Sequence, residues 1–385
     1  MDRCCIWFVE AYDGGSHRAF CENLTRHSCY EIVSWTLPAR FWKWRMRGAA
    51  AWFADALNAA AGPPPDLLLV TGMTNAADLR GLLAPPLDRL PLLFYMHENQ
   101  LTYPLSPEEE FDFHFGFTNI ISALAADRVV FNSAWHRELF LDALPDYLGR
   151  MPENVPRDVR SRLAARSSDL AVGMDRPPLP ADHFPRYRGG RCDPDVGPPW
   201  PRRGRHLLLW NHRWEFDKRP EWFTAAVQDL VARGLDFDVV LLGESRGNEQ
   251  AFAELRDSLG GRCLAAGYRE SRADYDSWLA RADIVVSCAA QEYFGISVAE
   301  AVHAGCYPVL PREQVYPSLY GTRCRGRHFY EGPGELADLL AALVGGDDCG
   351  HVCSLDRDVD AWCWNRLAGD WDRLLEDMIA AGGRT

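Results

Sequence analysis

Short uninterrupted apolar runs alternate along the chain with longer segments in which apolar residues recur at helical spacing. In the first half the runs are 4–10 (CCIWFVE), 66–72 (DLLLVTG), 91–97 (PLLFYMH), 127–133 (DRVVFNS) and 169–175 (DLAVGMD). In the second half they are 206–211 (HLLLWN), 237–243 (FDVVLLG), 262–268 (RCLAAGY), 283–287 (DIVVS) and 306–310 (CYPVL). Runs that are apolar on both faces predict strands of parallel sheets, and the intervening segments predict the helices that cover them. The rhythm breaks once, at 185–205, where Pro, Gly and Arg crowd together as in a linker. The pattern therefore predicts an α/β chain of two Rossmann-like, doubly wound domains, 1–184 and 206–385, joined by the linker 185–205. The second domain is expected to end in one long amphipathic segment. Two such domains would face a cleft lined by the carboxyl ends of both sheets, where open α/β sheets bind ligands.

Composition narrows this picture. A chain of 385 residues with 47% hydrophobic and 25% charged residues is globular and long enough for two cores. A net charge of −13 argues against a general nucleic-acid or anionic-membrane binder, although not against a local basic patch. The start, MDRCCIWFVE, is neither a signal peptide nor a membrane span, and no later segment holds 18 uninterrupted apolar residues. The chain reads as soluble and cytoplasmic, with no membrane and no protein partner. Twelve scattered cysteines read as reduced thiols, and the one tight cluster, Cys349, His351 and Cys353, lacks a fourth zinc ligand and reads as a surface loop.

Candidate chemistry lies where predicted strands end. In QEYFGISVAE (291–300), Glu292 occupies a loop and Glu300 lies one turn into the following helix. Gly295 permits close backbone approach, and the helix start favours an anion. Two carboxylates beside a phosphate site suit the paired hydroxyls of sugars. A second reading stands for Glu300, because Ser297 and Glu300 also fit an S-x-x-E capping box. In NHRWEFDKRPEWF (211–223), Arg213 and Lys218 share one βα loop and can neutralise a departing diphosphate. Gly14 and Gly15 form a tight turn between the first strand and helix, suited to phosphate approach. His97, Glu98, Asn99 and Gln100 follow a buried strand. In LPARFWKWRMRG (37–48), Arg40, Lys43, Arg45 and Arg47 alternate with Phe41, Trp42 and Trp44. Such a segment either stacks bases and tracks phosphates or is an amphipathic helix with buried tryptophans.

Taken together these motifs resemble the retaining GT-B glycosyltransferases of family four, with E-x7-E at Glu292 and Glu300 and the basic pair at Arg213 and Lys218. More narrowly, GGSH, TLPARFWKWR, HENQLTYP, FGFTNIISALAADRVVFNS, HRWEFDK, EYFGISVAEAV and GCYPVLP resemble the tRNA-queuosine mannosyltransferases, over nearly the whole chain. The resemblance implies GT-B architecture and transfer of mannose from GDP-mannose to queuosine in tRNA of the aspartate type, with retained configuration and neither cofactor nor metal. It implies that Glu300 binds the ribose and Glu292 the transferred sugar. Phe294, Gly295 and Ile296 would offer backbone N–H groups, Arg213 and Lys218 would hold the diphosphate, and Gly14 and Gly15 would approach it. His97 would contact the sugar near the reacting carbon. The acceptor side would be Arg40, Trp42, Lys43, Trp44, Arg45 and Asn99. Gln291 stands where the family pattern often has His. A lipid or small-glycan acceptor, or a non-catalytic nucleotide-sugar-binding protein, are the other readings of the same motifs.

Overall fold

Residues 4–106, 108–178, 204–244, 249–321, 327–346 and 355–382 are described by a computed structural model. The chain divides into two units, Met1–Asp175 with Trp362–Thr385, and Arg176–Ala361.

The first unit contains β1 (Cys5–Asp13), α1 (Gly15–His27), β2 (Glu31–Pro38), α2 (Trp42–Asn58), β3 (Leu67–Thr71), α3 (Ala76–Leu82), β4 (Leu92–Met96), α4 (Phe113–Ala125), β5 (Arg128–Phe131), α5 (Ala134–Leu148), α6 (Val159–Ala164) and β6 (Ser167–Asp169). The strands form a parallel sheet of order β2-β1-β3-β4-β5-β6. β3 and β4 are buried at every position, as expected of all-apolar strands covered on both faces. Sequence order reverses between β1 and β3, so their carboxyl ends flank the switch point at which such sheets bind ligands.

The second unit runs β7 (His206–Asn211), α7 (Pro220–Ala232), β8 (Phe237–Leu242), α8 (Glu249–Leu259), β9 (Cys263–Gly267), α9 (Arg272–Arg281), β10 (Ile284–Val286), α10 (Ile296–His303), β11 (Tyr307–Pro311), α11 (Tyr316–Tyr320), β12 (Phe329–Tyr330), α12 (Pro333–Gly345) and α13 (Leu355–Val359). Its parallel order, β12-β11-β10-β7-β8-β9, reverses between β7 and β10. Leu208 pairs with Ile284 and Leu209 with Val285, which sets the loops after these two strands side by side.

The last helix, α14 (Trp364–Gly382), differs from the sequence expectation. The segment expected to be one continuous helix of the second domain is interrupted by a 3-10 turn at Asp360–Trp362. The division between units falls at that turn, and α14 belongs to the first unit. Its Trp364, Leu367, Trp371, Leu375 and Met378 recur at spacings of three and four and are buried. Trp371 packs against Phe20 and Tyr95, each at 5.1 Å between ring centroids, and its indole N–H donates to the Ala171 carbonyl at 3.1 Å. Asp372 accepts from Ser28 Oγ at 2.6 Å.

Other boundaries shift for local reasons. β2 escapes the apolar-run criterion because it is an edge strand with no fully buried position. The two-residue β12 is too short to leave a pattern. The expected strand at 169–175 begins earlier, as the three-residue β6, and then gives way to irregular chain with one isolated bridge at Met174. The first unit ends at Asp175 rather than 184. Residues 185–203 of the expected linker, and Cys349, His351 and Cys353, lie outside the described residues.

Candidate functional site

The β7–β10 adjacency brings two separate sequence motifs of the second unit together. Lys218, in a 3-10 turn after β7, is buried, and its Nζ donates to the Gln291 carbonyl at 2.7 Å and to Glu292 Oε2 at 3.3 Å. The same turn is fastened to the opposite loop by Ala290 N–H donating to the Asp217 carbonyl at 2.7 Å. Burial works against the Lys218 ammonium, but Glu292 and Asp217 outweigh it and hold its pKa above the usual lysine value. Arg213 is different. Its side chain is 44% exposed and pairs with Glu215 at 3.2 Å. His212, just before Arg213, is buried and pushed down to about 3 by burial and then by the Lys218 charge, so it is a neutral imidazole.

Glu292 also accepts from the Gly295 N–H at 3.1 Å. That donor, expected to be open to a ligand, is occupied by the side chain three residues earlier. Gly295 is the N-cap of α10 with φ +83°, and a Cβ there would come within 3.2 Å of Tyr316. The left-handed φ favours glycine, and the tight contact adds to that preference. Phe294 is buried, and Ile296 opens the helix half-buried.

Glu300 is not part of a capping box. The cap is Gly295, Ser297 Oγ lies 3.3 Å from His212 Nδ1, and Glu300 turns towards α9. Arg272 donates to its Oε1 at 2.7 Å and the Tyr275 hydroxyl to its Oε2 at 3.1 Å. Burial raises the Glu300 pKa, and Arg272 and Tyr275 partly offset the rise. Asn211, at the end of β7, donates to Tyr275 Oη at 3.2 Å and to the Ser297 carbonyl at 2.7 Å. Arg272 and Tyr275 had no motif of their own, and Asn211, though it opens the 211–223 motif, had no role assigned. The signal for them was only a helix following β9 and a polar residue closing an apolar strand.

In the first unit the carboxyl ends of β1 and β4 carry a buried cluster. His17, in α1, places Nδ1 2.8 Å from Glu10 Oε2 and Nε2 3.4 Å from Glu98 Oε2. Its ring packs against that of His97, with 4.1 Å between centroids and a tilt of 32°. Burial opposes a charge on His17, but the Glu10 and Glu98 carboxylates prevail and raise its pKa to about 10. Burial, and then the neighbouring His17 and His136, push His97 well below the usual histidine range. Its Nε2 is buried without a hydrogen-bond partner. Glu10, His17 and His97 offer converging donor atoms within 4.8 Å of one another, as a metal site would. The proton that two carboxylates hold on His17 works against that use, since a ligating imidazole must be neutral. Glu10 and His17 were not picked out from the sequence, although a carboxylate inside an apolar strand and a histidine two residues past Gly15 were both visible.

Of the paired glycines, Gly14 is a packing glycine, where a Cβ would lie 2.4 Å from Ala39 Cβ. A Cβ on Gly15 would meet nothing within 4 Å. Asn99, expected on the acceptor side, is fully buried, and its Oδ1 accepts from the N–H groups of Leu101 and Thr102, so it shapes its own loop.

The basic-aromatic segment splits. Trp42 packs inward against Phe115 at 5.1 Å, Lys43 pairs with Glu109 at 2.8 Å, and Arg47 pairs with Asp112 at 2.6 Å. Arg45 is half-buried and donates to the Pro38 carbonyl. Phe41 and Trp44 remain 72% and 64% exposed, and Trp52, two turns beyond Trp44, is 52% exposed. Arg40 is exposed beside Phe41, 5.9 Å from its ring.

Residues 5–174 match the family model described as tRNA-queuosine alpha-mannosyltransferase N-terminal, and residues 205–343 match that of the group 1 glycosyl transferases. A tRNA-queuosine alpha-mannosyltransferase of Drosophila melanogaster is 34% identical over 324 residues, 82% of this chain and 81% of that protein. A phosphatidyl-myo-inositol mannosyltransferase of Mycolicibacterium smegmatis is 29% identical over 192 residues, 48% of each chain. Among solved structures, HepE from Anabaena in complex with UDP and glucose superposes with a TM-score of 0.63 at 15% identity, covering 97% of this chain and 100% of that one. Sucrose-phosphate synthase from Thermosynechococcus elongatus superposes with a TM-score of 0.64 at 16% identity, covering 98% and 100%. The fold is that of the GT-B glycosyltransferases.

Proposed function

The chain belongs to the tRNA-queuosine alpha-mannosyltransferase family, and we propose that it transfers mannose from GDP-mannose to queuosine in tRNA with retained anomeric configuration. The observation that carries this reading is the likeness to the Drosophila protein across both units, together with a second-unit site suited to a nucleotide-sugar. Lys218 and Arg213 neutralise the diphosphate as it leaves. Glu292, steered by Lys218, takes hydroxyls of the transferred sugar. Glu300, held by Arg272 and Tyr275, takes the ribose hydroxyls. His97 contacts the sugar near the reacting carbon. With no enzyme nucleophile required, the acceptor hydroxyl attacks from the face that the phosphate leaves, and the phosphate helps to take its proton. No helix among the described residues is long and apolar enough to cross a membrane. A tRNA acceptor would place the reaction in the cytoplasm.

The test is a panel of labelled nucleotide-sugars crossed with two tRNA pools, one with queuosine and one from cells unable to make it. Mannose incorporated only into the queuosine pool is the expected result. Equal labelling of both pools, or labelling of a lipid extract alone, overturns the acceptor. Two cations and a helix start already oppose the diphosphate charge, so transfer should persist in EDTA. Loss on chelation with recovery in Mn²⁺ or Mg²⁺ would show a metal requirement.

A further inference from the structure

The donor site of the second unit holds a histidine to which the roles above give no task. His212 follows β7 directly and precedes Arg213. Its backbone is fixed from two sides. The Trp210 indole N–H donates to the His212 carbonyl at 3.0 Å. Gly243, just after β8, has φ +123° and leaves room for that carbonyl, which a Cβ there would strike. The ring is fixed as well. It packs edge-on against Trp210, with 5.4 Å between centroids, and its Nδ1 lies 3.3 Å from Ser297 Oγ in the first turn of α10. The imidazole is thus held at the amino end of an eight-residue helix, where the aligned peptide dipoles favour an anion.

A second, independent feature points to a ligand there. His212 is 4% exposed, and its Nε2 is buried with no hydrogen-bond partner, a costly state unless something polar arrives. The Ser297 hydroxyl can give its hydrogen to Nδ1, which places the one N–H of the neutral ring at Nε2. Nε2 is then a donor in want of an acceptor. Burial first, then Lys218 and Arg213, keep the ring uncharged against the pull of Asp217. The group therefore offers a hydrogen bond without adding a third cation. Next to two cations and a helix start, the ligand that supplies acceptors and no donors is a diphosphate. We infer that His212 is a binding residue for the diphosphate of the donor, its Nε2–H donating to a phosphate oxygen beside Arg213 and Lys218. The inference deepens the nucleotide-sugar reading above and rests on it. The rival is a histidine whose task ends at Ser297.

Two variants separate the ring nitrogens. Asparagine carries a polar atom near the place of Nδ1 and nothing at Nε2, whereas glutamine reaches the place of Nε2 and leaves Nδ1 empty. The full chain is titrated calorimetrically with GDP and with GDP-mannose. His212→Asn should weaken both about tenfold or more, the scale of a hydrogen bond to a charged group. His212→Gln should keep most of the wild-type affinity. Any result in which His212→Asn binds GDP as tightly as His212→Gln overturns the inference, and the reversed order assigns the histidine to Ser297 alone. A crystal of the wild type with GDP needs no variant, so it decides even if both substitutions prevent folding. Nε2 should lie within about 3.2 Å of a phosphate oxygen, and a ring with no phosphate in reach overturns the inference. Failure of the wild type to bind GDP or GDP-mannose would instead sink the donor reading, and this inference with it.

Discussion

The two units treat their glutamates in opposite ways. In the second, each member of the E-x7-E pair is matched by a cation, Glu292 by Lys218 and Glu300 by Arg272, and Arg213 stands beyond them on the exposed side. In the first, Glu10 and Glu98 share one histidine. The second unit thus ties each carboxylate of the pair to its own cation, whereas the first draws two carboxylates onto one imidazole. In both, buried partners fix a side chain that is partly open. Such pre-organisation spares the ligand the cost of ordering the site. Similar sheets with similar switch points thus differ in how their carboxylates are paired.

The largest expected effect breaks the cationic side. Arg213→Ala and Lys218→Ala should each lower kcat/KM by ~100-fold or more, as expected when preorganised charge is removed from a transition state. The two should part company in stability. Arg213 is half-exposed, and its loss should barely move the folding transition. Lys218 is buried between Asp217 and Glu292, so its loss leaves carboxylates unpaired and should cost about 3 kcal/mol or more. Steady-state kinetics beside chemical denaturation reads both. Near-normal activity in both variants would remove the diphosphate assignment.

Next in size is the division between the two glutamates. Glu300→Gln should weaken GDP and GDP-mannose alike, roughly tenfold, the scale of a hydrogen bond to a charged group. Glu292→Gln should weaken mainly the sugar-bearing donor. Calorimetric titration with both ligands compares them, and equal losses of GDP affinity would contradict the proposed roles.

How much of this was legible before the structure follows from range of interaction. Strands β3, β4 and β7 were readable because burial on both faces writes a continuous apolar run. The edge strand β2 writes a weaker one. Gly295, Glu292 and Lys218 were found because each lies just beyond a readable strand. Arg272 and Tyr275 were not, since their part is set by contact with Glu300 across 28 and 25 residues. Ser297 and Glu300 misled because a capping box is a local pattern, whereas the side chains chose partners from other elements. The terminal helix was assigned to the wrong half for a like reason. Its apolar stripe announces a buried face and says nothing of which sheet receives it.

The acidic cluster predicts a pH signature that the balanced pair should lack. His17 has a folded pKa of about 10, above the usual histidine value of about 6.5. Its proton therefore stabilises the fold fully below pH ~6.5, and that contribution is lost as pH rises through about 10. The charged groups facing it are Glu10 from β1 and Glu98 after β4, with His97 neutral on its ring face. Denaturation midpoints of the wild type should fall across this alkaline window. In His17→Gln the fall should be shallower. An identical slope in both would show that His17 does not hold its proton.

The smallest expected effect concerns the aromatic face of α2, and it separates two tryptophans two residues apart. Trp42 is packed on Phe115, whereas Trp44 is exposed and lies over Gly48, where a Cβ would meet its ring at 2.9 Å. An exposed indole beside Arg40 and Phe41 can stack on an unpaired base, and single-stranded loops are read by such stacking together with phosphate contacts. Trp44→Ala should therefore raise the tRNA KM several-fold, with the GDP-mannose KM and the folding transition unchanged. Trp42→Ala should instead lower stability, as large-to-small changes at packed positions do. The net charge of −13 repels RNA elsewhere, so the Trp44 effect should grow with added salt as the phosphate contacts weaken and stacking carries more of the binding. A Trp44→Ala enzyme whose tRNA KM matches the wild type at every salt concentration would take RNA off this face, without touching the assignment of the carboxylates.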